Sequence, residues 1–147
     1  MFKHILIPTD GSSVSAKAVK AGIAFAKQTG ARVTGYSAVD SVPMHLYGEG
    51  YVADEKMIVE FERRAQAAAK KSLAAIAREA AKAGVPFEPV ARAARTPYEG
   101  IVEAAQKHDC DLILMSSHGR RGLARLTLGS VADKVIQLSK VPVLVYR

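Results

Sequence analysis

The chain has a single cysteine, Cys110, in 147 residues, so no internal disulfide is available and a reducing compartment is expected. Its strongly apolar stretches stop at five to seven residues, far short of the ~20 that a bilayer-spanning helix needs. Behind Met1, the run Phe2-Lys3-His4-Ile5-Leu6-Ile7 breaks at Pro8 without a small-residue cleavage site. It makes a poor signal peptide, and a cytoplasmic location without membrane contact is expected. There is no GxxxxGK[ST], which excludes a Walker-type nucleotidase, and no GxGxxG after the first strand, which argues against a dinucleotide fold. His4, His45 and His108 have no carboxylate or cysteine at ligand spacing, so no metal site is expected. Repeats and low-complexity segments are absent. With 49% hydrophobic and 24% charged residues the chain is an ordinary globule, expected to form one domain over residues 1–147.

The charge is less even. Lys and Arg number 21 against 14 Asp and Glu, a net +7 that points towards an anionic partner. Within Asp54–Ala83, five acids alternate with seven bases, as on a solvated helix face. Between Ser116 and Ser130 stand Arg120, Arg121 and Arg125 with no acid at all. The excess is therefore one basic loop rather than a basic molecule.

Hydrophobic periodicity gives alternating strands and helices. Strands are expected at Lys3–Thr9, Arg32–Val39, Phe87–Ala93, Asp111–Ser116 and Val141–Tyr146. Helices are expected at Val14–Gln28, Asp54–Ala83, Thr96–Lys107 and Gly129–Ser139. Ser12 or Ser13 is the N-cap of the first helix, and Gly30 its left-handed C′ residue. Thr96-Pro97-Tyr98-Glu99 combines a capping box with proline at the first helical position. The long helix should bury one stripe through Met57, Phe61, Ala65, Ala68, Ser72, Ile76 and Ala80. Pro89 removes a ladder donor and so places the third strand at an edge. The order βαβαβαβαβ predicts a doubly wound α/β fold, a five-stranded parallel sheet with helices on both faces.

In such a sheet, ligands sit beyond the strand carboxyl ends, where strand order reverses. With order 3-2-1-4-5 that crevice lies between the first and fourth strands, at Pro8-Thr9-Asp10-Gly11-Ser12 and Ser116-Ser117-His118-Gly119-Arg120. Gly119 and Gly122, followed by Gly129-Ser130 opening a helix, fit a phosphate cradle, because glycine lets backbone approach a ligand and a helix start presents unpaired amides. A glycine-rich turn with solvated arginines fits the same residues. Asp10 has two roles open to it, accepting from a ribose hydroxyl or capping the Gly11–Ser15 turn. His118 is assigned to stabilising its turn rather than to acid–base chemistry, and Ser130 to phosphate binding, since no base stands near it.

The whole chain resembles the universal stress proteins of single-domain type. The resemblance is carried by ILIPTDGSSVSAKAV at Ile5–Val19, DLILMSSHGRRGLARLTLGSVADKVI at Asp111–Ile136 and VPVLV at Val141–Val145. Nucleotide-binding members of that family carry G-x2-G-x9-G-[ST]. Here Gly119 and Gly129-Ser130 match it, while Ser116 stands where the first glycine is expected. The resemblance implies an ATP site with Asp10 on the ribose, the backbone of Val39 on the adenine, and Gly119, Gly129, Ser130 and Val131 on the phosphates. Pro8, Thr9, Met115, Ser116, His118 and Arg120 complete its lining, and Mg²⁺ is held through the phosphates. It also implies a homodimer paired through Val141–Tyr146 and a nucleotide-responsive regulatory role in the stress response, with ATP hydrolysis slow at most. A member that binds no ATP and acts through protein partners is the alternative.

Two further expectations follow from the residues. Gly119-Arg120-Arg121-Gly122 fits the GXXG loop of KH modules, but that loop joins two helices whereas this one follows the strand DLILM, so no nucleic acid is expected. The Asp40–Ala53 connection, with Tyr47 and Tyr51, is long enough to act as a ligand-side loop. At Ser116 the cost depends on backbone angle: a left-handed φ would cost serine on the order of 1 kcal/mol, whereas a negative φ leaves its hydroxyl able to bond. On this footing, glycine at position 116 should bind nucleotide as well as serine or better.

Overall fold

The computed structural model describes residues 1–43, 54–119 and 128–147. In chain order the elements are β1 His4–Pro8, α1 Ser13–Thr29, β2 Arg32–Val39, α2 Glu55–Ala83, β3 Phe87–Ala93, α3 Pro97–Lys107, β4 Leu112–Ser116, α4 Ser130–Leu138 and β5 Val143–Tyr146. They form one parallel sheet of order β3-β2-β1-β4-β5, so strand order reverses between β1 and β4 as expected. Leu6, Ile7, Leu112, Ile113 and Leu114 are buried in the two central strands, which are apolar towards both helical layers. One core packs Ile5, Ile7 and Val33 against Val19 and Ile23 of α1 and Leu73 and Ile76 of α2. The other packs Leu6, Tyr36, Ile113 and Met115 against Ile101 and Ala105 of α3 and Val135 of α4.

Local chemistry sets the helix ends. The Ser12 hydroxyl accepts from the Ser15 amide, which makes Ser12 the cap of α1, and Gly30 and Gly84 close α1 and α2 at φ +67° and +70°. Thr96 caps α3 through the Glu99 amide (3.3 Å), with Pro97 in the first turn. The buried stripe of α2 departs from the expected one. Ala69, Leu73, Ile76 and Ala80 are buried, while Met57 is 48% exposed and Ala68 is exposed. Two causes act. In the middle of the helix the buried face is turned by one residue, with Ala69 and Leu73 inward in place of Ala68 and Ser72. At ~1.5 Å per residue the helix also outruns strands of seven or eight residues, so its first turns overhang the sheet. β5 begins at Val143 rather than Val141, because Ser139 turns the chain with its hydroxyl on the Val141 carbonyl and amide, although Pro142 still accepts from the Ile113 amide.

Among the described residues no helix is long and apolar enough to cross a membrane. Gly119 follows β4 and not a helix, so the setting differs from a KH loop. Residues 44–53 and 120–127, which include His45, Tyr47, Tyr51, Arg120, Arg121 and Gly122, lie outside the described residues.

Candidate functional site

The strand register gives the crevice its shape. Pro8, the last residue of β1, pairs with Tyr36, so β2 runs on three residues to Val39, ~10 Å beyond the end of β1. β3 matches that height, with Ala93 beside Val39. The tops of β1 and β4 therefore form a floor, and β2 and β3 a wall. Val39 and Ser116 lie two strand spacings apart, ~9.6 Å across the floor.

On the β1 side, the Thr9 amide donates to the Tyr36 carbonyl (2.8 Å), and its hydroxyl meets Ser15 Oγ (3.1 Å) and accepts from the Gly11 amide (3.1 Å). Gly11 turns the chain at φ +76°. Asp10 Oδ1 accepts from the Ser12 amide (2.9 Å), so its capping role is present. Its other carboxylate oxygen faces across the crevice: a Cβ on Gly119 would lie 2.6 Å from Asp10 Oδ2. The residues at the ends of β1 and β4, over a hundred positions apart in sequence, are thus brought together.

On the β4 side, Met115 is buried and Ser116 half-buried. The Ser116 hydroxyl donates to the His118 carbonyl (2.7 Å). The φ of Ser116 is outside the left-handed region, as Asp109 is the one described non-glycine residue with positive φ, so serine is unstrained there. The buried Ser117 joins three elements. Its amide donates to the Tyr146 carbonyl at the end of β5 (3.0 Å), and its carbonyl accepts from the Gly129 amide (2.8 Å). Its hydroxyl meets His118 Nδ1 (3.0 Å), which fixes the imidazole against the turn.

Gly129 is the N-cap of α4, with φ −66° and ψ 150°, angles open to any residue. Its requirement is one of space. A Cβ there would fall 2.7 Å from the Ser117 carbonyl oxygen and 3.4 Å from His118 Cα. Because glycine offers no capping side chain, the first amides of α4, at Ser130 and Val131, have no side-chain acceptor among the described residues. They lie at the positive end of the helix dipole, next to the β4 turn, and can take an anion.

At the other end of the floor, Val39 closes β2, and a cavity of about 570 Å³ opens beside it between the strand ends and α2. Asp40, Glu62 and Arg63 line it. Asp40 follows Val39 directly, whereas Glu62 and Arg63 escaped sequence reasoning because α2 reaches the strand ends by packing, which no local pattern records. Another hollow of about 310 Å³ lies between β3 and α3, along the sheet face and away from the strand carboxyl ends. Among the described residues no group of three His, Cys, Asp or Glu side chains is placed to hold a metal ion. His4 is instead buried with Nε2 on the Thr34 hydroxyl (2.7 Å), and His108 caps α3 near Glu88 (3.6 Å).

The comparisons agree with this architecture. Universal stress protein MJ0531 of Methanocaldococcus jannaschii is 38% identical over all of this chain and 83% of its own length. Universal stress protein YxiE of Bacillus subtilis is 36% identical over the full length of both. Among solved structures, MJ0577 of M. jannaschii superposes with a TM-score of 0.82 at 30% identity, over 99% of this chain and 95% of that one. Two more distant proteins share the fold. One is a universal stress protein in complex with cAMP (TM-score 0.70, 24% identity, 99% of this chain and 97% of that one). The other is from Archaeoglobus fulgidus in complex with dAMP (TM-score 0.62, 20% identity, 100% and 98%). The family model described as universal stress protein family matches residues 1–147, and with these relatives it establishes that the chain belongs to the universal stress protein family.

Proposed function

We propose that the crevice between β1 and β4 binds ATP with Mg²⁺, and that the protein is a cytoplasmic, dimeric, nucleotide-responsive regulator of the stress response. The observation that carries this reading is the start of α4. Gly129 seats an uncapped helix N-terminus on the β4 turn, where amides and dipole favour a phosphate. Asp10 stands across from it as an acceptor for ribose hydroxyls, and the lateral span of ~9.6 Å from β4 to β2 suits a nucleoside laid over the floor with its base at the β2 wall. Two proteins of the same fold are in complex with adenine nucleotides, cAMP and dAMP, which supports a nucleotide as the ligand.

The phosphates would meet the amides around Gly119, Gly129, Ser130 and Val131. Each one adds charge-assisted hydrogen bonds, so ATP-Mg is expected to bind more tightly than AMP. Mg²⁺ would be held by phosphate oxygens and water, since no described acid cluster is available. Turnover is expected to be slow or nil. Asp10 is assigned to the ribose, Asp40 and Glu62 line the cavity on the β2 side, and Asp133 in the first turn of α4 accepts from the Gln137 side-chain amide (2.8 Å), so each of these acids has a role other than orienting an attacking water.

β5 is the outer strand beyond β4, with Val143, Leu144 and Val145 half-buried and Tyr146 exposed. This supports isologous pairing of Val141–Tyr146 across a two-fold axis. Sedimentation should give a dimer that Val143→Lys with Val145→Lys converts to monomer. Calorimetry on protein stripped of nucleotide should show ATP-Mg binding that Gly129→Trp abolishes by filling the phosphate site. Absence of ATP binding by the wild type would overturn the nucleotide reading and leave a member that acts through protein partners.

A further inference from the structure

We propose that Ser116 is a positioning residue: its hydroxyl aims the Gly119 amide at the ligand by holding the peptide plane between His118 and Gly119. The inference rests on the nucleotide reading above and adds a role for a side chain at a position where the family resemblance leads one to expect glycine. Serine in a turn competes for nearby backbone groups, and here it reaches the carbonyl two residues on, at 2.7 Å. The peptide group is planar and trans, so the His118 carbonyl and the Gly119 N–H point in opposite directions. Pinning one therefore sets the other.

The preceding residue needs no such help, since Ser117 is already tied to Tyr146, Gly129 and the His118 ring. Beyond it, Gly119 is exposed and its amide donates to no described residue. With no side chain of its own, Gly119 relies on the Ser116 bond as the described restraint on its amide. Side chain and ligand thus act on opposite edges of one peptide plane. Because Ser116 is unstrained, replacing it with glycine relieves nothing and frees that plane.

The expected outcome reverses the sign that a glycine pattern implies. Ser116→Gly and Ser116→Ala should bind ATP-Mg about two- to tenfold more weakly, the equivalent of one ordinary hydrogen bond, and Ser116→Thr should retain wild-type affinity. A readout free of ligand separates this from the functional reading. In nucleotide-free protein, the NMR order parameter of the Gly119 N–H should fall in Ser116→Ala and recover in Ser116→Thr. Equal or tighter ATP binding by Ser116→Gly, or an unchanged Gly119 order parameter in Ser116→Ala, overturns the proposal. If the wild type binds no ATP the functional reading fails by itself, and the order parameters still decide whether Ser116 holds the plane.

Discussion

Replacing Gly129 with alanine separates two reasons for which a chain keeps glycine. At φ −66° and ψ 150° alanine is unstrained, and in open space the change would stabilise by ~0.4–1 kcal/mol through the unfolded chain. The space is not open. The new Cβ would fall 2.7 Å from the Ser117 carbonyl oxygen, whereas carbon–oxygen contacts begin near ~3.3 Å, so the two must part by roughly 0.6 Å. The same atoms flank the hydrogen bond from the Gly129 amide to that carbonyl (2.8 Å). Overpacking of this kind costs ~1–3 kcal/mol, and a weakened hydrogen bond adds up to ~1 kcal/mol. Less the unfolded-state gain, the expected net loss is about 1–3 kcal/mol. In urea that is a fall in midpoint of about 1 M. ATP affinity should fall with it, because α4 is displaced from the turn. Gly30→Ala is the control. Nothing lies within 4 Å of its Cβ, but φ is +67°, so it should cost on the order of 1 kcal/mol by strain alone and leave ATP binding intact. A Gly129→Ala protein as stable as wild type, or more so, would refute the reasoning.

Two further outcomes test the buried polar groups at the amino ends of the strands. Burial lowers the pKa of His4 below its usual 6.5, aided by the Arg32 charge, so the folded state resists protonation there. Its contribution to stability is present above pH 6.5 and is lost as pH falls through the lowered value. The urea midpoint should therefore drop between pH 7.5 and 5.5, and His4→Gln should drop less; equal slopes would remove His4 from the account. Glu60, held to about 2 by hydrogen bonds from Arg63 and Arg64, acts below 4.5 and leaves that window clear. For Cys110, burial pushes the thiol up to about 12, so native protein at pH 8 should resist iodoacetamide until unfolded. Rapid alkylation of the native chain would contradict its buried position.

The alternation of strands and helices was legible because apolar runs of strand length alternate with stretches of helical period, and because capping residues such as Ser12, Gly30 and Thr96 act within one or two turns of themselves. Pro89 marked an edge strand for an equally local reason, its missing donor. The reversal between β1 and β4 then followed from strand order, and with it the two loops that face each other. The α2 stripe slipped by one residue at Ala69 and Leu73 because a run of alanines leaves neighbouring faces alike, and it was drawn too long because periodicity does not tell how far along the helix a sheet extends. At the site the limit is of the same kind. Asp10 and Gly119 were each visible as loop residues, but the contact that makes glycine necessary joins positions more than a hundred residues apart. Ser116 shows the consequence most sharply. As a letter in a pattern it stands in the place of a glycine. In the fold its φ is ordinary and its hydroxyl meets the His118 carbonyl. Backbone angle and hydrogen-bond partner, neither of which residue identity specifies, decide whether that substitution is a defect or a fixture of the site.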